Sequence, residues 1–392
     1  MSNERWNSQF PHTIPYNLFK RHFTEINQIY WAFVPASNTI KSYAKEKSQN
    51  DADPKKIFLI HDDDDRRIAG TYEKWKKDYA EYSNYTRINI IMLLSSCLET
   101  YLRTVISLAF ESKPGVIIHC PDSVDGVKLL ISNPSYGNYN DNSYQFTDQI
   151  DDICIGEWSK RIMNIEKYFG QLPIEITEMT TDLDQFRILR NNIAHYFGRN
   201  KREYEAPLML ESKPATRVSH ERVMKMLGLV HQFASKLDDY LRINYIGSYD
   251  IIKFFYQHYY SGKIIIPENG SKGIAMKHYL ADNGYQINKS DFFENLANYC
   301  GFPDISNTKM YGKQESIKRL HQIFTEREKQ VRKLIYRKEF NKYINDFNCK
   351  SDKSLCIRNI ATDNSNEYLY SEELLQKMAD YFIDKYPVKK KK

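Results

Sequence analysis

Five stretches of this 392-residue chain place their apolar residues three and four positions apart. That spacing puts the apolar side chains on one face of an α-helix. The stretches cover residues 15–47, 70–111, 158–169, 181–197 and 219–245. Only 15 Gly and 13 Pro occur, which favours long helices over turn-rich β structure. The sequence therefore predicts a mostly α protein, with a four-helix bundle completed by the stretch at 219–245.

The length of the chain exceeds what one typical core holds. We expect an N-terminal helical extension at 1–60 and a helical bundle at 61–246. A third region, 247–392, is expected to be a mostly helical, basic domain. The bundle contains an insertion at 111–155, rich in Gly, Asn and Tyr, in which residues 116–120 are predicted to form a short strand or a buried turn.

Positive charge is concentrated in the C-terminal third of the chain. Residues 245–392 contain 25 Lys and Arg against 18 Asp and Glu, within a net charge of +6 for the whole chain. Residues 314–347 are predicted to form one long helix with a basic face that includes Arg332 and Lys333. Such a face can follow an RNA backbone. A solvated helix surface, with glutamates interspersed, is the alternative.

No run of 18 apolar residues is present, and the first residues contain no apolar signal region. We therefore expect a cytoplasmic protein without a membrane span. The six Cys are scattered, and no pair has C-x-x-C spacing. Free, buried thiols are the simplest interpretation, and neither a metal site nor a cofactor is predicted.

The stretch at 181–197 carries unusual polar residues. Thr181 and Asp184 fit a capping box at its start, and Gly198 is placed to end it. Its buried stripe is predicted to consist of Phe186, Leu189, Ile193 and Phe197. On an ideal helix Arg190 lies at the edge of this stripe, and His195 lies nearly opposite, on the same face as Asn191.

These polar positions are poorly suited to simple packing. An arginine can bind a phosphate, and a histidine can transfer protons near neutral pH, so the pair suits phosphodiester chemistry. The alternative is a helix-terminal histidine that only hydrogen-bonds a nearby carbonyl. The spacing of Arg190 and His195 alone does not decide between these interpretations.

The segment Arg190-Asn191-Asn192-Ile193-Ala194-His195 resembles the R-N-x-x-x-H signature of the HEPN superfamily of helical ribonucleases. Similar proteins have an upstream helix with an acidic residue in an apolar run. Residues 94–103, with Glu99, fit that description, and the aromatic-rich segment 157–170 follows. The resemblance covers about residues 70–245.

The resemblance implies a metal-independent endoribonuclease of the kind found in antiviral defence or as a growth-arresting toxin. The catalytic residues would be Arg190 and His195. The supporting residues would be Asn191, Asn192 and Glu99, although Glu99 is equally compatible with an ordinary surface position. Further residues are predicted to bind RNA: Arg199, Lys201, Arg202, Arg332 and Lys333.

One histidine per chain is insufficient where both an acid and a base are wanted. Arg190 and His195 also point about 140° apart on a straight helix, so one copy makes an open site. A two-fold homodimer would bring two of each into one groove, and the resembling family uses such composite sites. A neutralising or activating protein is a further candidate partner. The alternative function is a non-catalytic RNA- or nucleotide-binding module, or a helical scaffold, that retains the signature.

Overall fold

The computed structural model describes a large part of the chain. The described residues are 5–48, 52–60, 67–68, 70–132, 136–137, 146–196, 198–199, 214–260, 271–285, 290–300, 310–311, 318–319, 322, 356–358, 368–371, 375–376 and 379–380.

Helices dominate the described residues, which confirms the predicted mostly α class. The α-helices are α1 (Ile14–Lys47), α2 (Pro54–Ile57), α3 (Tyr72–Ser112), α4 (Gly126–Ser132), α5 (Thr147–Cys154), α6 (Trp158–Phe169), α7 (Ile174–Thr177), α8 (Thr180–Tyr196), α9 (His220–Leu241), α10 (Tyr249–Tyr260), α11 (Lys272–Asp282) and α12 (Ser290–Cys300). A π-helical turn, Arg242–Ile246, follows α9.

The chain divides into two compact units. The bundle unit comprises His12–Ser107 and Phe146–Arg242, and the terminal unit comprises Met1–Pro11, Leu108–Gln145 and Ile243–Lys392. The predicted boundaries at 60 and 246 stay a prediction.

In the bundle unit, α3 provides much of the core. Its buried side chains include Ile90, Ile91, Leu94, Leu98, Leu102 and Val105. The hydroxyl of Tyr101 on α3 donates a hydrogen bond to the carbonyl of Ala234 on α9 at 3.0 Å. The same ring lies 5.2 Å, between centroids, from Phe19 of α1. On α6, Trp158 packs edge-on against Phe233 of α9 at 4.9 Å. These contacts bury the apolar faces that the residue spacing predicted.

In the terminal unit, two buried cationic side chains have partners within the same unit. Arg5 is fully buried and donates hydrogen bonds to the carbonyl of Ile246 at 2.5 Å and to Oγ of Ser112 at 2.6 Å. Lys253 on α10 pairs with the buried carboxylate of Glu111 at 2.5 Å. Partnering of this kind is what a charge removed from water requires.

The terminal unit also contains strands that were not predicted. The strands β1 (Met310–Tyr311), β2 (Cys356–Arg358) and β3 (Tyr368–Ser371) form an antiparallel sheet in the order β1-β3-β2. Their short length gives too few residues for a visible alternation of apolar and polar side chains. The predicted helix at 314–347 lies outside the described residues, apart from 318–319 and 322, which are helical.

Two local predictions were wrong. Residues 116–120 form neither the predicted strand nor a buried turn, because a 3₁₀ helix occupies Pro114–Ile118 and Ile118, His119 and Cys120 are exposed. The predicted capping box at Thr181 and Asp184 is absent, because α8 begins at Thr180 and the Asp184 carboxylate accepts hydrogen bonds from Trp158 and Arg187 instead. Gly198 has φ +75°, in agreement with its predicted role at the end of α8.

Among the described residues, α3 is the one helix whose length and apolar content would permit a membrane crossing. Its most apolar 18-residue window has a mean hydropathy of 1.3, and 61% of that window is buried inside the protein. Burial of that kind is usual for a core helix.

Asp238 on α9 offers a test of the packing of the bundle unit. Its fully buried carboxylate accepts hydrogen bonds from the backbone N–H of Thr13 (3.1 Å), Oγ1 of Thr13 (2.5 Å) and the hydroxyl of Tyr101 (3.4 Å). Asp238→Ala removes the acceptor of the backbone N–H and the hydroxyl of Thr13, while Tyr101 keeps the carbonyl of Ala234, so we expect the free energy of unfolding to fall by about 3 kcal/mol in urea denaturation.

The neighbouring Asp239→Ala is the matched control. The side chain of Asp239 is 50% exposed and pairs with Arg242, so its loss should be below about 1 kcal/mol. Equal losses for the two variants would contradict a special role for the buried carboxylate.

Candidate active site

Helix α8 places Arg190 at the edge of its buried face. Phe186 and Leu189 are buried in the core and Ile193 is half-buried, while Phe197 lies outside the described residues. The side chain of Arg190 is 27% exposed. The backbone therefore holds the guanidinium where the core meets solvent.

Arg190 is fixed by two acceptors. Its Nη2 lies 3.3 Å from Oε2 of Glu99 on α3, and its Nη1 donates to Oδ1 of Asn191 at 3.1 Å. Oγ of Ser95 donates to the other oxygen of Glu99 at 3.5 Å. Glu99 and Asn191, both predicted as supporting residues, therefore contact Arg190.

His195 lies on a different face of the helix. Its side chain is exposed, and its ring centroid lies 6.2 Å from that of Tyr196. It does not line the pocket next to Arg190. Within one chain, the arginine and the histidine of the signature are therefore not brought together.

A pocket of about 370 Å³ adjoins Arg190, entirely within the bundle unit. Its lining residues are Glu99, Arg103, Cys154, Ile155, Gly156, Arg161, Arg187, Arg190 and Asn191. Four guanidinium groups thus surround one carboxylate. An anion is the ligand that such a lining favours.

Each of the other arginines is held by its own contacts. Arg103 on α3 pairs with Asp151 of α5 at 2.6 Å. Arg161 on α6 is buried, donates from Nε to the carbonyl of Gly156 at 3.0 Å, and stacks on Trp158 at 4.9 Å. Burial lowers the pKa of Arg161, and the charge of Glu99 opposes that shift.

Asp184 connects the start of α6 to α8. Its carboxylate accepts hydrogen bonds from the backbone N–H of Trp158 at 3.0 Å and from Nε of Arg187 at 2.9 Å. Burial alone would raise the pKa of Asp184, but these hydrogen bonds outweigh it and lower the pKa below its ordinary value. The ionised carboxylate therefore fixes Arg187 at the wall of the pocket.

The other predicted site residues contribute less to this pocket. Asn192 and Arg199 are half-buried and do not line it. Lys201, Arg202, Arg332 and Lys333 lie outside the described residues, so their predicted roles stay predictions. Over the described ranges, no cluster of three or more His, Cys, Asp or Glu side chains is arranged to hold a metal ion.

Arg103, Arg161 and Arg187 were not predicted as site residues. Two signals for them were present in the sequence. Arg103 follows Glu99 by four positions on a helix, and Arg187 precedes Arg190 by three, so each lies beside a residue already singled out. Arg161 carries no such signal, since its role depends on how α6 packs.

Residues 55–242 match a family model described as RiboL-PSP-HEPN. Neither a curated protein nor a solved structure matches the chain. The matched segment includes α3, α6, α8 and α9, and with them every residue that lines the pocket.

The pH dependence of the reactivity of Cys154 tests how strongly the lining of the pocket is shielded from water. Burial raises the pKa of its thiol to about 11, although Arg103 and Arg161 lower it. The thiolate is the reactive form, so alkylation by iodoacetamide should accelerate about tenfold per pH unit between pH 8 and 10. Peptide mass spectrometry resolves this rate from that of the exposed Cys120. A rate for Cys154 that levels off near pH 8 would show that its thiol is not shielded in this way.

Proposed function

Because residues 55–242 form a domain of the HEPN superfamily, we propose that this protein is a metal-independent endoribonuclease acting in antiviral defence or as a growth-arresting toxin. The observation that carries the proposal is the complete R-N-x-x-x-H segment on α8, with Arg190 fixed by Glu99 and His195 exposed. RNA is the proposed substrate, since its own 2′-hydroxyl supplies the nucleophile.

In the proposed reaction, the 2′-oxygen attacks the adjacent phosphorus and the bond from phosphorus to the 5′-oxygen breaks. The products are a 2′,3′-cyclic phosphate and a 5′-hydroxyl end. A proton leaves the 2′-hydroxyl and another reaches the 5′-oxygen, and His195 is the side chain on α8 suited to such transfers. Arg190 stabilises the negative charge that develops on the phosphate oxygens.

A shared site between two copies supplies what one chain lacks. Supporting this proposal, the exposed side of α8 carries Gln185, Ile188 and His195, with Asn192 half-buried among them. Ile188 is 50% exposed and is the large apolar side chain on this side of α8. Pairing of this surface with its symmetry mate would bury Ile188 and place two His195 side chains near each other.

The second candidate function is RNA binding without cleavage. The observation in its favour is that Arg190 bonds Glu99 and Asn191 in a single chain, and that His195 does not line the pocket beside it. The two functions differ in the fate of the RNA. Both predict affinity that falls with salt, whereas only the ribonuclease predicts cyclic phosphate ends.

The decisive measurement is incubation of total RNA and tRNA, in EDTA, with the wild type and two variants. We expect His195→Ala to lower the cleavage rate by about 10²- to 10⁴-fold, because proton transfer is lost. Glu99→Gln should lower it less, since Glu99 supports Arg190 without reaching the proton.

His22→Ala, which removes an exposed histidine of α1, is the matched control and should cleave like the wild type. Cleavage by His195→Ala at the wild-type rate would place the catalytic residue elsewhere. RNA binding without cleavage by the wild type would favour the non-catalytic module.

The shared site predicts that the association state and activity change together. Ile188→Asp introduces a charge on the exposed side of α8, so we expect a shift to monomers in sedimentation velocity and a parallel loss of RNA cleavage. Leu18→Asp on α1 is the control, because Leu18 is similarly exposed at 47%. A monomeric wild type that cleaves RNA, or an Ile188→Asp dimer, would exclude pairing through this surface.

A further inference from the structure

The pocket beside Arg190 has more positive charge on its walls than the proposed cleavage requires. Arg103, Arg161 and Arg187 are contributed by three different helices and meet there with Arg190. Arg103 pairs with Asp151, and Arg187 pairs with Asp184 and, at 3.8 Å, with Glu157; none of these three carboxylates is among the lining residues. The walls of the pocket therefore present guanidinium groups, while those compensating carboxylates lie outside its lining.

Arg161 is the one arginine of the pocket lining that is not paired with a carboxylate of the described residues. It is 5% exposed, yet no carboxylate of the described residues lies within 4 Å of its guanidinium. Its Nε is bonded to Gly156 and its plane rests against Trp158, so the side chain is held rigidly. Its two terminal nitrogens have no hydrogen-bond acceptor among the described residues, and a buried charge of this kind favours an anionic partner.

Arg190 provides a second unsatisfied donor. Its Nε is buried and lacks a hydrogen-bond partner among the described residues. Glu99 meanwhile places the one carboxylate of the pocket lining at 3.3 Å from Nη2 of Arg190 and close enough to act on the charge of Arg161. Glu99 thus occupies part of the position that an anionic ligand would take.

We propose that Arg103, Arg161, Arg187 and Arg190 form a binding pocket for phosphate groups next to the scissile phosphate. Planar guanidinium forks match the oxygens of a phosphate better than other side chains do. A volume of about 370 Å³ lies at the small end of ligand pockets, and it suits a nucleotide or a short piece of RNA backbone. The role of this pocket in RNA cleavage rests on the proposed function, whereas phosphate binding by the pocket does not depend on it.

Calorimetric titration tests the pocket, with inorganic pyrophosphate, AMP and a 2′-O-methylated RNA that cannot be cleaved as probes. The test variant is Arg103→Gln combined with Arg187→Gln, since both side chains are partly exposed and neither lies in the core. We expect at least about tenfold weaker binding than in the wild type, with a shallower dependence on salt.

Arg217→Gln combined with Arg242→Gln is the matched control. Arg217 pairs with Glu81 at an exposure similar to that of Arg103, and Arg242 pairs with Asp239 three positions earlier, as Arg187 does with Asp184. The control should bind within about twofold of the wild type, because neither Arg217 nor Arg242 lines the pocket. Equal losses in the two double variants, or a wild type that binds none of the three probes, would overturn the assignment.

For Glu99→Gln we expect tighter phosphate binding, the opposite of the effect expected for the arginine double variant. Removal of the one lining carboxylate should strengthen pyrophosphate binding severalfold, because the ligand no longer competes with it for Arg190. Unchanged or weaker binding would show that Glu99 does not occupy the phosphate position. A merely structural cluster of ion pairs predicts no such gain.

The probes also identify the source of the phosphate. Binding of methylated RNA that the test variant weakens assigns the pocket to the RNA strand. Binding of pyrophosphate and AMP, without binding of the RNA, assigns it to a free nucleotide. Phosphate binding by the wild type without RNA cleavage by the wild type would overturn the ribonuclease and leave the phosphate pocket standing.

Discussion

The burial of α3 is the constraint on which the rest of the bundle unit depends. The helix has apolar residues on several sides, so no single partner can cover it. α1 covers one side through Phe19, and α9 covers another through the carbonyl that accepts the hydrogen bond of Tyr101. Glu99 and Arg103 lie on the polar side that remains, which is the side that faces the pocket. The position of the pocket is therefore a consequence of how the core is packed.

Residue spacing was sufficient to predict the helices that bury a wide apolar face. The bounds predicted for α6 and α8 agree with the structure within one residue, because Gly170, Gly198 and the apolar steps mark their ends. The capping box failed for a different reason. A carboxylate three positions after a threonine fits the capping-box motif. The Asp184 carboxylate instead accepts a hydrogen bond from the backbone N–H of Trp158, which lies 26 positions away in the sequence, and no local pattern predicts that contact.

The same distinction separates the predicted site residues from those that were missed. Arg190 and Glu99 were identified from a motif, and their 3.3 Å contact follows from the packing of α8 on α3. Arg161 is a charged residue on an amphipathic helix, for which exposure is the ordinary expectation. Its burial depends on Trp158 and on the carbonyl of Gly156. A side chain of this type becomes recognisable as part of a site only when the tertiary contacts around it are known.

The angular step of the α-helix connects these observations to function. His195 follows Arg190 by five positions, so a straight helix directs the two side chains to different sides, about 140° apart. The pocket arginines surround the Arg190 side alone. An RNA strand bound by these arginines on one copy of the chain would therefore be cleaved with the help of His195 from a second copy. In this arrangement, phosphate binding needs only a folded chain, whereas cleavage also needs association, so a low concentration of the protein would leave RNA bound but uncut.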